Sequence, residues 1–257
     1  MLMKQEEAPS ECKSAAVSSD VWISVVIPVF NEEENLRPLT AELVNVLDSS
    51  QKSWEIIFVN DGSSDGSGRV LRELGGSFPR VRVITFKRNC GQTAAFDAGF
   101  KAARGGIIIT MDADLQNDPS DIPRLLEQMG DYDAACGWRH RRNDPFIKLI
   151  SSRIANYVRN KLSDEDIKDV GCSLKAFKTS YVKKLKLYSG MHRFFPTLIK
   201  MEGGRVVEVK VNHRPRKHGL SKYNIRNRMM RSFMDLLAVR WMKKRKFNYE
   251  IAEGEER

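Results

Sequence analysis

Polar and acidic side chains follow three of the short apolar runs in this sequence, at the points where the runs end. Carboxylate and amide groups can bind a hard cation or the polar groups of a ligand. If the runs are neighbouring parallel strands of one sheet, their ends meet at one edge, where ligands bind in such sheets. The residues that follow the runs are Asn31, Glu32, Asp61, Gly62, Asp112, Asp114 and Gln116.

Asp112 and Asp114 are candidate ligands of a divalent cation. They are two residues apart at a predicted strand end, where the alternation of side chains directs both to one face, and Gln116 continues the alternation. Mg²⁺ or Mn²⁺ needs only one or two protein carboxylates when substrate phosphates complete its shell. An EF-hand fails here, because Asn117 and Pro123 occupy its glycine and final glutamate positions. A solvated acidic turn is the alternative.

The elements that must position these residues alternate between strands and helices. The apolar runs WISVVIPVF, WEIIFVN, VRVITF and GIIIT are typical of strands buried on both faces. Helical patterns at about 33–49, 67–74 and 93–103 lie between them. The sequence therefore predicts an α/β fold with a mostly parallel sheet flanked by helices.

Composition limits the possible partners. The chain has 257 residues, 41% of them hydrophobic, and a formal net charge of +10. We expect an anionic partner: nucleic acid, a phosphorylated substrate or an anionic membrane. The four cysteines form no CxxC pair and no apolar N-terminal stretch is present, which favours a reducing cytosol. The sequence contains no run of about eighteen apolar residues, so it does not predict a membrane-spanning helix.

Several common nucleotide and hydrolase motifs are missing. The sequence has no GxxxxGK[ST], and GSGRVLRELGG does not have the GxGxxG spacing of a dinucleotide site. Ser63 and Ser64 lack the GxSxG frame, and the four histidines lie outside HExxH. A P-loop ATPase, an ordinary dehydrogenase and a serine hydrolase are therefore disfavoured.

The motifs PVFNEEENL, VNDGSSDGS, NCGQTAAFDAGF and MDADLQ, in this order and spacing, resemble the family 2 glycosyltransferases with the GT-A fold. The resemblance covers about residues 22–240. GWRHRR, FIKLISSRIAN, DVGCSLKAF, MHRFFP and RPRKHGLSKY are similar to the polyprenyl-phosphate sugar synthases. This branch includes dolichyl-phosphate mannose synthase and the bacterial undecaprenyl-phosphate glycosyltransferases.

The resemblance implies donor contacts on the loops at the strand ends. Asp61 is expected to face the nucleotide base, and RPRKHGLSKY to close over the donor pyrophosphate. Asn60 departs from the family pattern, which usually has an aspartate there, although an amide still accepts and donates hydrogen bonds. The expected donor-binding residues are Pro28, Asn31, Glu32, Asp61, Gly62, Asp112, Arg214, Arg216, Ser221 and Lys222.

The resemblance also implies an acceptor-phosphate site. Arg139 resembles the family's phosphate-binding arginine, Ser151 or Ser152 matches its serine, and Lys148 stands where the family often has an arginine nearby. Asp169 is a candidate for orienting the acceptor or a sugar hydroxyl, with an N-cap or turn role as the alternative. The residues expected to be catalytic are Asp112, Asp114, Arg139 and Asp169.

The implied reaction is a metal-dependent, inverting sugar transfer from a nucleoside diphosphate sugar to polyprenyl phosphate. Mg²⁺ or Mn²⁺, held by Asp112, Asp114 and Gln116, would stabilise the departing diphosphate. An acceptor phosphate is already anionic, so it needs positioning by cationic groups more than a strong base. UDP is favoured over GDP as the donor nucleotide.

The C-terminal region predicts contact with a membrane surface. We divide the chain into a flexible leader at 1–20, a catalytic domain at 21–223 and a basic amphipathic helical tail at 224–257. Such a helix can lie in an anionic membrane interface, and packing on the sheet is the alternative. Many relatives continue into spanning helices, so we expect surface binding, a membrane protein partner or a homo-oligomer. The expected location is the inner face of the cytoplasmic membrane. The apolar face contains Met230, Phe233, Met234, Leu237 and Trp241.

Three alternatives stay open. A related family 2 transferase could act on another lipid-linked or soluble glycan. A non-catalytic nucleotide-sugar binder would retain the same acidic residues. A nucleic-acid-binding module would use the charge of +10 but would not explain the acidic strand ends, so we expect no nucleic-acid partner.

Overall fold

The computed structural model describes residues 21–140, 167–215 and 225–247, with the side chains of the last segment described from residue 233 onward. The leader at 1–20 and the end of the tail at 248–257 lie outside the described residues. Six predicted site residues also lie outside them: Lys148, Ser151, Ser152, Arg216, Ser221 and Lys222.

Within the described residues, seven strands form one mixed sheet. In chain order the strands are β1 Ile23–Val29, β2 Trp54–Asn60, β3 Val81–Thr85, β4 Ile107–Thr110, β5 Ala134–Arg139, β6 Lys175–Lys178 and β7 Val206–Val211. Their order across the sheet is β3-β2-β1-β4-β6-β5-β7. β6 runs antiparallel to both its neighbours, and the other pairs are parallel. This confirms the mostly parallel sheet.

Helices cover the sheet on both faces. The helices are α1 Glu33–Ser49, α2 Ser67–Ser77, α3 Gln92–Ala102, α4 Ile122–Leu126, α5 Thr179–Val182, α6 Phe195–Met201 and α7 Ile225–Arg245. Short 3₁₀ turns occupy Pro119–Asp121, Glu127–Met129 and Met191–Phe194. The first three helices connect β1 to β4 in sequence, as crossovers between parallel strands require.

The alternation of side chains in β1 divides the core into two layers. Ile23, Val25 and Ile27 pack with the buried leucines of α1 and α2. Val26 faces the opposite side and packs with the aromatic residues of α3 and of the Met191–Phe194 turn. Because both faces are buried, the strand is apolar at nearly every position, which is the pattern seen in the sequence.

α3 lies unusually close to the sheet. A Cβ atom added at Gly99 would lie 2.2 Å from Val26 Cγ1, so only glycine fits at this point of the contact. The close packing fixes the position of the helix start, where Gln92 reaches Asp112.

α7 packs on the core, which is one of the two alternatives that its sequence left open, and its contact with a membrane stays a prediction. Leu236 and Val239 are buried in the layer that contains α3. Met234 and Trp241 are 59% and 63% exposed, and Phe233 and Leu237 are also exposed. One face of the helix therefore packs on the core while another presents large apolar groups. Over the described ranges, no helix has the length and apolar character needed to cross a membrane.

Candidate active site

The loops that carry the predicted donor residues meet at one edge of the sheet. Val29 at the end of β1 pairs with Asn60 at the end of β2, and Asn60 pairs with Thr85 at the end of β3. Pro28 is half-buried within β1, one residue before that strand ends. The segments that follow the strands therefore begin side by side, as the sequence predicted.

The loops after β1 and β2 are joined by reciprocal hydrogen bonds. The amide of Asn31 donates to Ser63 Oγ at 3.0 Å, and Asn31 Oδ1 accepts from the amide of Ser64 at 2.8 Å. The amide of Glu32 donates to Ser67 Oγ at 2.9 Å. Asn31 has a φ of 55°, a left-handed conformation that asparagine tolerates better than most residues. The two loops thus form one preorganised surface.

The acidic start of α1 does more than complement the helix dipole. The Glu32 carboxylate accepts from Asn35 Nδ2 at 2.7 Å, within the first turn. The Glu33 carboxylate crosses to the second loop and accepts from the amide of Gly66 at 3.0 Å. A Cβ at Gly66 would lie 2.1 Å from Glu33 Oε1, so this contact depends on glycine.

Asp61 is a buried carboxylate, 3% exposed, that organises a neighbouring loop. Its Oδ1 accepts from the amide of Cys90 at 2.6 Å. Its Oδ2 accepts from the amide of Gly91 at 2.9 Å and from Asn89 Nδ2 at 3.0 Å. Both oxygens therefore hold the loop before α3, and the contact of Asp61 with a base stays a prediction.

The turn at Gly62 packs backbone against backbone. Gly62 has a φ of 66°, and a Cβ there would lie 2.4 Å from the carbonyl carbon of Arg88. Asn60 Oδ1 accepts from the amide of Ser63 at 3.0 Å and so closes the turn. Asparagine supplies the acceptor that this turn needs, as an aspartate carboxylate at this position would.

Asp112 lies just beyond the sheet, half-buried, two residues after β4 ends at Thr110. Its Oδ1 accepts from Gln92 Nε2, at the start of α3, at 2.7 Å. Asp114 is 7% exposed, and its Oδ1 accepts from the amide of Gln116 at 3.2 Å. The carboxylates are therefore positioned by a turn and not by strand alternation.

Leu115 explains why the predicted alternation does not extend to Gln116. Leu115 has a φ of 60°, a rare conformation for a bulky side chain that reverses the chain direction locally. Gln116 Nε2 donates to the carbonyl of Arg214 at 3.5 Å, and the amide of Arg214 donates to the carbonyl of Gln116 at 2.9 Å. Gln116 is tied to the segment after β7, and its binding to a metal stays a prediction.

The electrostatics of Asp112 reflect several charges close together. Burial, and then repulsion from Asp114, raise the pKa of Asp112 to about 6. A hydrogen bond from Ser173 and the positive charges of Lys175 and Arg139 oppose that rise in pKa. A bound cation would relieve the repulsion between these two carboxylates, and the nearby positive charges keep Asp112 more readily ionised.

The ligand types suit a hard cation whose coordination is completed by other molecules. Asp112 and Asp114 provide oxygen ligands, which Mg²⁺ and Mn²⁺ prefer. Across the described ranges, no group of three or more His, Cys, Asp or Glu side chains is spaced to hold a metal. The residues therefore fit an ion that also binds the phosphates of a substrate and water.

Arg139, the last residue of β5, is held by Asp169. Arg139 Nε donates to Asp169 Oδ2 at 2.7 Å, and Nη2 donates to Oδ1 at 2.8 Å. The side chains are 15% and 6% exposed. The sequence predicted roles for both residues but did not pair them. The fork orients the guanidinium, so the role that the structure gives to Asp169 is to position Arg139. The predicted contact of Asp169 with substrate stays a prediction.

Arg214 lies between two carboxylates. Its Nη1 contacts Glu42 Oε2 in α1 at 2.6 Å, and its Nη2 contacts Asp118 Oδ1 at 2.8 Å. These ion pairs tie the segment after β7 to α1 and to the turn that follows Asp114. The predicted contact of Arg214 with donor pyrophosphate stays a prediction. The two ion pairs give Arg214 a structural role that the sequence analysis did not predict.

Sequence reasoning missed residues that contact Asp112 and residues next to them. Gln92 donates to Asp112. Its neighbour Thr93 has Oγ1 2.7 Å from His192 Nδ1 and accepts from the amide of Gly190 at 3.1 Å. Ser173 contacts Asp112 directly. The sequence signal that could have identified these residues is that they lie within the motifs NCGQTAAFDAGF, MHRFFP and DVGCSLKAF.

The family model described as "Glycosyl transferase family 2" matches residues 24–186. The chain is 40% identical over 223 residues to dodecaprenyl-phosphate galacturonate synthase of Rhizobium johnstonii, covering 84% of this chain and 66% of that protein. It is 38% identical over 208 residues to undecaprenyl-phosphate 4-deoxy-4-formamido-L-arabinose transferase of Edwardsiella ictaluri, covering 79% and 63%. The chain thus spans less than two thirds of the length of these relatives.

Solved structures with little sequence identity share the fold. Glucosyl-3-phosphoglycerate synthase from Mycobacterium tuberculosis, in complex with Mn²⁺ and UDP-glucose, matches with a TM-score of 0.64 at 18% identity, covering 88% of this chain and 80% of that one. A mannosyltransferase from Pyrobaculum calidifontis, in complex with GDP-mannose and Mn²⁺, matches with a TM-score of 0.62 at 17% identity, covering 92% and 68%.

The sheet order, the polar strand ends and the matching family model define one class of protein. This chain belongs to glycosyl transferase family 2, and its fold is the GT-A fold that the sequence predicted.

Proposed function

We propose that this protein transfers a sugar from a nucleoside diphosphate sugar to polyprenyl phosphate, with inversion at the anomeric carbon. The observation that carries the proposal is the proximity of opposite charges at one edge of the sheet. The carboxylates of Asp112 and Asp114 would serve the donor, and the charge of Arg139, close enough to lower the pKa of Asp112, would serve the acceptor. The relatives named for polyprenyl-phosphate substrates support the same acceptor class.

On the donor side, the joined loops would bind the nucleotide. Asn31, Glu32, Asp61 and Gly62 lie on surfaces whose internal hydrogen bonds are already made, which lowers the entropy cost of ordering them around a ligand. We favour UDP over GDP. Neighbouring structures of this fold contain each of the two nucleotides, so the donor base and the sugar are questions for a donor panel.

Asp112 and Asp114 would hold Mg²⁺ or Mn²⁺, with Gln116 as a further proposed ligand. When bound, the cation would neutralise charge that develops on the departing diphosphate. Gln92, which donates to Asp112 Oδ1 at 2.7 Å, would leave the second carboxylate oxygen to face the donor. Arg214 and the basic segment that follows it would add positive charge near the pyrophosphate.

On the acceptor side, Arg139 would orient the phosphate for in-line attack. Asp169 orients the guanidinium through a two-bond fork, and a planar guanidinium matches the geometry of a phosphate group. The phosphate is itself the nucleophile and carries negative charge at neutral pH, so no strong base is required. Lys148, Ser151 and Ser152 would supply additional phosphate contacts.

The exposed apolar groups of α7 would bring the site to an anionic membrane. Met234, Leu237 and Trp241 are exposed near Lys243 and Lys244, a combination that suits the membrane interface. We therefore propose a peripheral location at the inner face of the cytoplasmic membrane, alone or with a membrane protein or a second copy, and no nucleic-acid partner.

A matched pair of tryptophan variants tests the membrane proposal. Trp241 and Trp22 are 63% and 36% exposed; Trp241 lies in α7, and Trp22 lies just before β1. Trp241→Ala should reduce co-sedimentation with vesicles that contain phosphatidylglycerol, whereas Trp22→Ala should not. Equal loss in both variants, or equal binding of the parent to purely phosphatidylcholine vesicles, would argue against an anionic interface at α7.

A transfer assay tests the reaction. The parent protein is incubated with each of a panel of radiolabelled UDP- and GDP-sugars, with undecaprenyl phosphate, and with Mg²⁺, Mn²⁺ or EDTA. We expect labelled lipid that depends on the cation and is strongly reduced in Asp114→Asn but retained in Asp131→Asn, which changes an exposed aspartate. Label transferred only to a soluble glycan would replace the proposed acceptor.

A further inference from the structure

One turn reaches both the donor and the acceptor side of the candidate site. The turn covers residues 169–175 and leads into β6. Its first residue, Asp169, holds Arg139 in a two-bond fork. Its fifth residue, Ser173, contacts Asp112. Residues on either side of the reaction therefore depend on the conformation of the same segment.

The Ser173 hydroxyl joins two points of the loop that carries Asp112 and Asp114. Its oxygen accepts from the amide of Asp112 at 3.2 Å and from Asn117 Nδ2 at 2.6 Å. A hydroxyl oxygen offers two acceptor positions, so these two bonds fill both and fix where the hydroxyl lies.

This hydroxyl holds the backbone at Asp112. It accepts from the amide of Asp112 and so fixes the point from which the Asp112 side chain extends. Gln92 holds Oδ1 from the α3 side. Because repulsion from Asp114 would favour turning the Asp112 carboxylate away, these contacts oppose the motion that would separate the pair.

The turn that presents Ser173 is itself fixed. The Ser173 carbonyl accepts from Thr110 Oγ1 at 2.7 Å, at the end of β4. Lys175 is 3% exposed, and its ammonium donates to the carbonyl of Val170 at 3.4 Å and to that of Cys172. A buried cation bonded to two carbonyls of one turn cross-links that turn and gives the hydroxyl a rigid base.

We propose that Ser173 is a positioning residue, which holds the loop at Asp112 so that the Asp112 carboxylate lies where it binds the divalent cation. The inference rests on the proposed function, since it takes Asp112 to be a ligand of that cation. Residues that orient metal ligands through hydrogen bonds commonly change metal affinity by about 10–100-fold when they are removed. Ser173 would not touch the donor or acceptor itself.

The test measures cation binding directly. Mn²⁺ is titrated into the full chain in the presence of UDP, and free Mn²⁺ is followed by electron paramagnetic resonance. We expect Ser173→Ala to raise the Kd for Mn²⁺ by about 10-fold or more. Ser173→Thr keeps the hydroxyl and should restore most of the affinity. Thr110→Val removes the bond to the Ser173 carbonyl while leaving the hydroxyl and the Lys175 cross-links in place, so it is the matched control and should change the Kd much less than Ser173→Ala.

The outcomes separate this inference from the proposed function. If the parent binds Mn²⁺ and Ser173→Ala binds it equally well, the positioning role is refuted while the cation site stands. If Thr110→Val weakens binding as much as Ser173→Ala, stability of the turn and not the hydroxyl controls affinity, and the inference is again refuted. If the parent binds no Mn²⁺ with UDP present, the proposed cation site fails and the inference fails with it.

Discussion

Replacing Gly62 with alanine should damage the donor side of the site through backbone contact. Alanine at a φ of 66° incurs the strain of the left-handed conformation, about 1–2 kcal/mol. Its Cβ would also lie 2.4 Å from the carbonyl carbon of Arg88, which cannot rotate away as a side chain could. Overpacking of this kind costs about 1–3 kcal/mol, so the total expected loss of stability is about 2–5 kcal/mol.

Two other glycines separate the strain from the contact. Gly203 has a φ of 82° with no atom within 4 Å of an added Cβ, so Gly203→Ala should lose only the strain, about 1–2 kcal/mol. Gly76 lies in α2 with open space and no positive φ, so Gly76→Ala should gain about 0.5–1 kcal/mol.

The assay is thermal unfolding of the three variants, followed by a UDP titration in the presence of Mn²⁺. At about 2–4 °C per kcal/mol for a chain of this size, Gly62→Ala should lower the Tm by roughly 4–20 °C. It should also weaken UDP binding, because the displaced 88–91 segment contains the amides that bind Asp61. A Gly62→Ala protein no less stable than Gly203→Ala would refute the contact argument.

Three further changes test other parts of the account. Asp169→Asn should lower stability by roughly 3 kcal/mol, since it breaks a buried pair with Arg139. In steady-state kinetics it should raise the KM for the acceptor more than the KM for the donor. An equal rise in both KM values would contradict the placement of Asp169 and Arg139 on the acceptor side. Burial of Asp133 raises its pKa, but hydrogen bonds from Lys178 and a backbone amide outweigh this and lower the pKa overall. The stability that Asp133 contributes is therefore present above its ordinary pKa and is lost as the pH falls through the lower pKa of the folded state. In urea unfolding, Asp133→Asn should be less stable than the parent at pH 7 and should lose less stability than the parent on acidification. An unchanged dependence of stability on pH would count against this role of Asp133. Cys90 is exposed, whereas burial raises the pKa of Cys136 to about 12 and that of Cys172 to about 11. Cys90→Ser should therefore remove one equivalent of rapid maleimide labelling under native conditions. Unchanged labelling would contradict this.

The parallel half of the sheet could be predicted because its strands are buried on both faces. Such strands must be apolar at nearly every position, and the Val/Ile runs of β1 and β2 give that signal directly. β5 escaped prediction because its buried positions are alanine and cysteine, which have little strand preference. β6 is four residues long and runs antiparallel, so no local pattern marks it.

The candidate site also contains residues that the sequence could predict and contacts that it could not. Residues at the ends of predicted strands were found because the fold class alone brings them to one edge. The pairing of Arg139 with Asp169 joins residues 30 apart, and the contact of Asp112 with Ser173 joins residues 61 apart. Such contacts depend on the register of β5 and β6, which the sequence pattern does not specify. The alternation expected through Gln116 failed because Leu115 adopts a left-handed conformation.

The most direct test of the central claim is to measure both Michaelis constants for two variants of the parent enzyme. With the donor that the panel identifies, Arg139→Lys should raise the KM for polyprenyl phosphate while leaving UDP binding unchanged, because lysine cannot keep the two-bond fork. Asp114→Asn should weaken cation-dependent donor binding while leaving the acceptor KM unchanged. This crossed pattern is the result that one site with separate donor and acceptor sides predicts. Loss of donor binding in Arg139→Lys, or normal transfer in Asp114→Asn, would contradict it.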